Sequence, residues 1–158
     1  MVSIPETMKA ISLRSPWWWH ILYAGKDIEN RGLRFPRHYR GRVLLHASKW
    51  WNTDEIEFDC EDANDMWVEK PYRADGAPQL SVDYLKARAG CIVGSVEIVD
   101  YVTKCSSPWF AGALGIVVRN PVAFVNPVPY KGALGIFNVD VTSEAMLTEI
   151  RPLFAQAA

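Results

Sequence analysis

Trp17, Trp18 and Trp19 follow one another inside a short segment opened by Ser15-Pro16 and closed by Gly25. Serine followed by proline predicts a helix start, with Ser15 at the N-cap and proline in the first helical position. Gly25 predicts its end. Consecutive helical side chains point about 100° apart, so three adjacent indoles cannot share one buried face. At least one must be exposed or must line a cleft. The helix therefore has to pack on a core while keeping an aromatic edge outside it.

The segment just beyond the helix is as constrained. Gly25-Lys26-Asp27-Ile28-Glu29-Asn30-Arg31 places charges of both signs where a helix must turn into a strand. A second basic cluster, Arg34, Arg37, Arg40 and Arg42, is broken by Pro36 and Gly41. Close charges of both signs suit a pocket that reads a polar, partly anionic ligand.

Further strands are predicted at Lys9–Leu13, Arg42–Ala47, Gly90–Thr103, Gly115–Arg119, Val122–Val125 and Leu134–Val141. In the fourth of these seven extended segments, counting Ile28–Arg31, alternation sets Ile92, Val96, Ile98 and Val102 on one face and Glu97 and Tyr101 on the other. Asn120-Pro121 and Lys131-Gly132 read as turns. Helices are expected from Thr53, Ser81 and Ser143, each residue serving as a cap. Strands of uneven length with helices before and between them predict an α+β fold around a small curved sheet or barrel. The 158 residues suit one domain, residues 8–158, preceded by an extension at 1–7.

The net charge of −1 hides a division. Lys9 to Trp50 carries nine basic residues against Asp27 and Glu29, whereas Trp51 to Asp83 carries ten acids against Lys70 and Arg73. The acids are either the solvated side of a helix and loop, or a segment that narrows access to the basic face. A third use is docking of a basic protein on Asp54 to Asp65. No stretch approaches the roughly 20 apolar residues of a membrane span, and Met1 to Met8 lacks a signal-peptide pattern. Cys60, Cys91 and Cys105 have no metal-like spacing and read as reduced thiols, which predicts a cytoplasmic location.

Ile11-Ser12-Leu13-Arg14-Ser15-Pro16-Trp17, the Gly25–Arg31 segment, and Tyr39-Arg40-Gly41 leading into Leu44-Leu45-His46-Ala47-Ser48 together resemble the ASCH (activating signal cointegrator homology) domain. So do Gly90–Asp100, Ser107-Pro108-Trp109-Phe110 and Lys131–Phe137. The resemblance runs from about Met8 to Val141. It implies a PUA-like mixed β-barrel of about five or six strands with flanking helices, whose first helix and opening strands line a cleft. It also implies RNA or DNA binding. One branch of the family resembles ribonucleases, and a shorter branch is an amidohydrolase acting on acylated cytidine through a lysine, a threonine and a glutamate. The lysine falls on Lys26, the threonine position holds Glu29, and no residue aligns with the glutamate.

The expected ligand is therefore RNA, single-stranded nucleic acid or a nucleotide-like molecule. The candidate contacts are Ser15, Trp17, Lys26, Glu29, Arg31, Arg40, Ser48, Ser107 and Trp109. Lys26 offers phosphate a compact cation, or acts as a base if burial lowers its pKa. Glu29 accepts hydrogen bonds from a base or serves in acid–base chemistry. Both also fit a structural ion pair with each other. Arg31 and Arg40 can grip phosphate bidentately or brace two strands. Trp17 and Trp109 are candidate stacking surfaces. Lys26 and Glu29 are the catalytic candidates if the chain is an enzyme. No cofactor is expected, a divalent ion entering only for a nuclease. His46, in a buried strand, reads as a satisfied structural histidine.

Overall fold

The computed structural model describes residues 3–69 and 76–155, with helix α2 described by its backbone alone beyond Asp62. Four helices and six strands occur in the order β1 (Thr7–Leu13), α1 (Trp17–Tyr23), β2 (Ile28–Arg31), β3 (Gly41–Ala47), α2 (Thr53–Glu69), α3 (Val82–Arg88), β4 (Cys91–Val102), β5 (Leu114–Pro129), β6 (Ile136–Asp140) and α4 (Glu144–Phe154). The strands form one mixed sheet in the order β2-β5-β4-β3-β1-β6, with β1 and β3 parallel and the other pairs antiparallel.

Side-chain alternation divides the apolar residues between the two faces of this sheet. Ile11 and Leu13 of β1 join Trp18, Trp19, Ile56 and Leu85 in one core, beneath α1, α2 and α3. Ala10 and Leu44, one residue out of phase, join Met146 and Ile150 of α4 in a second core. The sheet is open, with β2 and β6 at its edges. It nevertheless curls: the Arg31 guanidinium on edge strand β2 donates to the Ser12 carbonyl of β1 at 2.7 Å. A side chain spans the gap that a closing ladder would fill.

Local structure departs from expectation at several places. Ser15-Pro16 is a cis peptide, and α1 begins with Pro16 as its N-cap without a side-chain cap. Ser15 instead accepts a hydrogen bond from the indole N–H of buried Trp18 at 3.0 Å. At α2, Asn52 rather than Thr53 accepts from the Glu55 N–H at 3.0 Å. Ser81 and Ser143 do cap α3 and α4. Asn120-Pro121 is not a turn: β5 runs through it. Arg119 opposes Glu97 and Val122 opposes Ser95, so β5 holds one extra residue there. Asn120 takes a φ of 53°, which asparagine tolerates, and proline at a bulge forfeits no ladder bond. A further register shift between Ile92 and Gly94 moves Ile92 into the α4 core, while Val96 and Ile98 face the α1 core. Strict alternation along β4 therefore fails. At the start of the chain, β1 begins at Thr7, and Ile4 already packs on the α4 core.

No described helix is long and apolar enough to cross a membrane.

Candidate functional site

The end of α1 builds the floor of a cleft. Gly25 adopts a φ of 71°, open to glycine without strain, and the Lys26 N–H turns back onto the His20 carbonyl at 3.1 Å. This reversal carries the Lys26 side chain inward. Its ammonium donates to the Ile28 carbonyl and to Glu29 Oε1, the latter at 3.3 Å. Two residues along β2, Arg31 lies on the same side of the strand as Glu29, and its Nε donates to Glu29 Oε2 at 3.2 Å. One carboxylate thus joins two cations. Burial pushes the Lys26 pKa below the usual lysine value, and the charge of Glu29 opposes that shift.

The aromatic wall comes from two places. Trp18 and Trp19 are buried, whereas Trp17 remains half-exposed, with Lys26 Nζ 5.7 Å from its ring centroid. Trp109 is held from the same Gly25–Arg31 segment. Asn30 donates to the Trp109 carbonyl and accepts from the Ala111 N–H, both at 2.9 Å. Ser107 donates to Asp27 at 2.5 Å and accepts from the Trp109 N–H at 3.2 Å. The His20 ring lies 5.6 Å from Trp17 and 5.7 Å from Trp109 between centroids. Burial depresses its pKa to about 4, so the ring between the two indoles is neutral near pH 7.

These groups open into a cleft of about 1740 Å³. Among the expected contacts, Trp17, Lys26, Glu29, Arg31, Ser48 and Trp109 line it. Ser15, Ser107 and Arg40 do not. Ser15 is occupied by Trp18, and Ser107 stands behind Trp109 as its support. Arg40 is exposed and pairs with Asp100 at 3.0 Å, beside Tyr101, where it braces the loop before β3 against the end of β4. It belongs to the strand-bracing alternative. Arg42 behaves likewise, reaching Glu97 at 3.1 Å and Ser95 at 2.8 Å.

Sequence reasoning missed Arg14, Lys49 and Lys131, which line the cleft from three separate loops. Arg14 stacks over the Trp50 ring at 4.0 Å. Among the described residues, these and Lys26 and Arg31 make five lining cations, against the lining carboxylates Glu29 and Asp62. Asp62 brings the acidic segment to the rim, while Asp54, Glu55, Glu57 and Glu61 of the same helix are exposed. His46 also lines the cleft. Its nitrogens lie 2.9 Å from Ser12 Oγ and 2.8 Å from the Tyr130 carbonyl, so the satisfied state expected for it is observed.

Among the described residues, no group of three or more histidine, cysteine or acidic side chains is placed to hold a metal ion. No protein-family model matches the chain, and a comparison with curated proteins finds no match.

Proposed function

We propose that the chain is an RNA- or nucleotide-binding domain of the ASCH type, a PUA-like barrel whose cleft takes a single-stranded or flipped-out base. The observation that carries this reading is the pairing of two indoles, Trp17 and Trp109, with the Lys26–Glu29–Arg31 cluster in one accessible cleft. The indoles offer stacking surface. The cluster offers donors and an acceptor to a base edge or a phosphate. The surplus of lining cations favours an anionic ligand although the chain as a whole is slightly acidic. No duplex is needed, because an unpaired base presents both its π-face and its hydrogen-bonding edge. The Arg31 bridge from β2 to β1 supports the barrel part of the reading, since it draws the open sheet round on itself.

Fluorescence anisotropy of a labelled single-stranded oligoribonucleotide at two salt concentrations tests the proposal. Lys26→Ala should weaken binding and flatten its salt dependence. Arg40→Ala, outside the cleft lining, should change neither. Equal losses in both variants would refute this assignment of the site.

The burial of Lys26 against Glu29 favours a second reading, a ribonuclease or, further off, a hydrolase of a modified nucleoside. A lysine whose pKa is lowered by burial gives up its proton more readily than an ordinary lysine does. Incubation of labelled single-stranded RNA with and without a divalent ion separates the readings. Cleavage that disappears in a Lys26 variant makes the protein an enzyme, and retention without cleavage leaves a binder.

A further inference from the structure

A second pair of side chains in the cleft has the chemistry of a nucleophile and its base. Ser12 of β1 and His46 of β3 are direct partners in the parallel register, and both line the cleft. Ser12 Oγ lies 2.9 Å from His46 Nδ1, and His46 Nε2 lies 2.8 Å from the Tyr130 carbonyl oxygen. A carbonyl can only accept, so Nε2 must carry the ring proton. Nδ1 is then left with its lone pair, and the Ser12 hydroxyl donates to it. The backbone fixes the tautomer that a general base requires.

The ring has little freedom to turn away. A Cβ on Gly132 would fall 2.6 Å from His46 Cε1, so only glycine lets this loop lie against the imidazole. Phe137 meets the ring edge-on at 6.1 Å between centroids. Burial holds the imidazole pKa below its usual value; the Tyr130 and Gly90 backbone contacts oppose this and the Lys49 charge assists it. Among the described residues, the other charged groups lining the cleft are Arg14, Lys26, Asp62, Lys131, on the loop carrying Gly132, and Arg31, which is tied to Glu29. Arg31 also places a cation against the backbone of Ser12 itself, at 2.7 Å from its carbonyl. A hydrogen bond that merely joined two strands would need no open space beside it, whereas this one borders the cleft.

We propose that Ser12 and His46 are catalytic residues, a nucleophile and general base that hydrolyse an anionic carboxylic ester. Ser12 Oγ attacks the ester carbonyl carbon as its proton passes to His46 Nδ1, with Arg31 positioned to stabilise the oxyanion. The carbon–oxygen bond to the leaving alcohol breaks, and the alcohol departs with the proton held on Nδ1. Water then attacks the acyl-serine, giving its proton to Nδ1, and collapse releases the carboxylic acid and returns the proton to Ser12. The ester is anionic because cations outnumber carboxylates along the lining. The Lys26 ammonium takes no part in this reaction.

The test is covalent labelling of the full chain by a fluorophosphonate, read by intact mass and peptide mapping. The expected result is one adduct on Ser12, absent in Ser12→Ala. In His46→Gln the labelling rate should fall by about 100-fold or more. In the wild type it should rise with pH as the imidazole loses its proton, with the midpoint of the rise below the ordinary histidine value of about 6.5. p-Nitrophenyl succinate should also be hydrolysed faster than the neutral acetate ester. Absence of an adduct on folded wild-type protein, an adduct only elsewhere, undiminished labelling in His46→Gln, or preference for the neutral ester would overturn the proposal. Mapping the wild-type adduct decides the matter even if a variant fails to fold. The assay contains no nucleic acid, so its failure would leave the nucleotide-binding reading standing.

Discussion

Replacing Glu29 by glutamine should expose how strongly the cleft floor depends on one carboxylate. The substitution keeps the shape but removes the charge that Lys26 and Arg31 share. The Lys26 and Glu29 side chains are only 3% and 11% exposed, with 3.3 Å between nitrogen and oxygen. At that distance and an effective dielectric near 20, their attraction is about 5 kcal/mol before desolvation is set against it. Breaking buried pairs costs about 3–5 kcal/mol, because one charge is left without a partner. Lys26 can shed its proton and so relieve part of this, which places the expected loss near the lower figure, about 3 kcal/mol.

For a chain of this length, a loss of that size lowers the melting midpoint by about 6–12 °C. The pH dependence has a definite sign. Burial already holds the folded Lys26 pKa below the unfolded value, so the unfolded chain binds more protons and stability from this group rises with pH. Without Glu29 the folded pKa falls further and the window of rising stability widens downward. The difference between variant and wild type should therefore be larger at lower pH and shrink as pH rises towards the ordinary lysine value of 10.5. Urea unfolding followed by tryptophan fluorescence at several pH values measures it. A loss below about 0.5 kcal/mol, the size of an ordinary surface substitution, or one that grows with pH, would refute the argument.

Trp17→Ala and Trp109→Ala should each weaken binding of a single-stranded oligoribonucleotide by about 5- to 150-fold, the equivalent of ~1–3 kcal/mol of stacking per base; titration by anisotropy reads this directly. Gly132→Ala should destabilise the protein by about 1–3 kcal/mol, because the new methyl meets a buried imidazole rather than a flexible chain end, as thermal unfolding would report. Arg40→Ala should leave both oligoribonucleotide affinity and the melting midpoint unchanged, since the pair with Asp100 is solvent-exposed. Across the wild-type cleft, log affinity should fall with log salt at a slope of about −2, matching roughly three neutralised phosphates on a single strand.

The parts of this architecture legible in the sequence are those governed by neighbours along the chain. Gly25 marks the helix end, alternation puts Glu29 and Arg31 on one side of β2, and helical geometry requires one of three adjacent indoles to stay outside the core. Asp27 and Asn30 belong to the same segment, but their work, holding the Trp109 turn, spans about 80 residues and depends on β2 pairing with β5. The fate of Arg40 was hidden for the same reason, because Asp100 reaches it only once β3 and β4 are aligned. Arg14, Lys49 and Lys131 stand far apart in sequence and share a surface only because the sheet curls. Asn120-Pro121 has the composition of a turn, yet the neighbouring ladder absorbs it as a bulge. Ser12 carries no signal of its own. Its importance appears when parallel pairing sets it beside His46.

The most direct test of the cleft as a nucleic-acid site is photocrosslinking of a 4-thiouridine oligoribonucleotide to the wild-type protein, with peptide mapping of the adducts. Crosslinks should fall on peptides carrying Trp17, Trp50 or Trp109. Crosslinks confined to the exposed loop of Arg34 and Arg37, with none on those peptides, would contradict it.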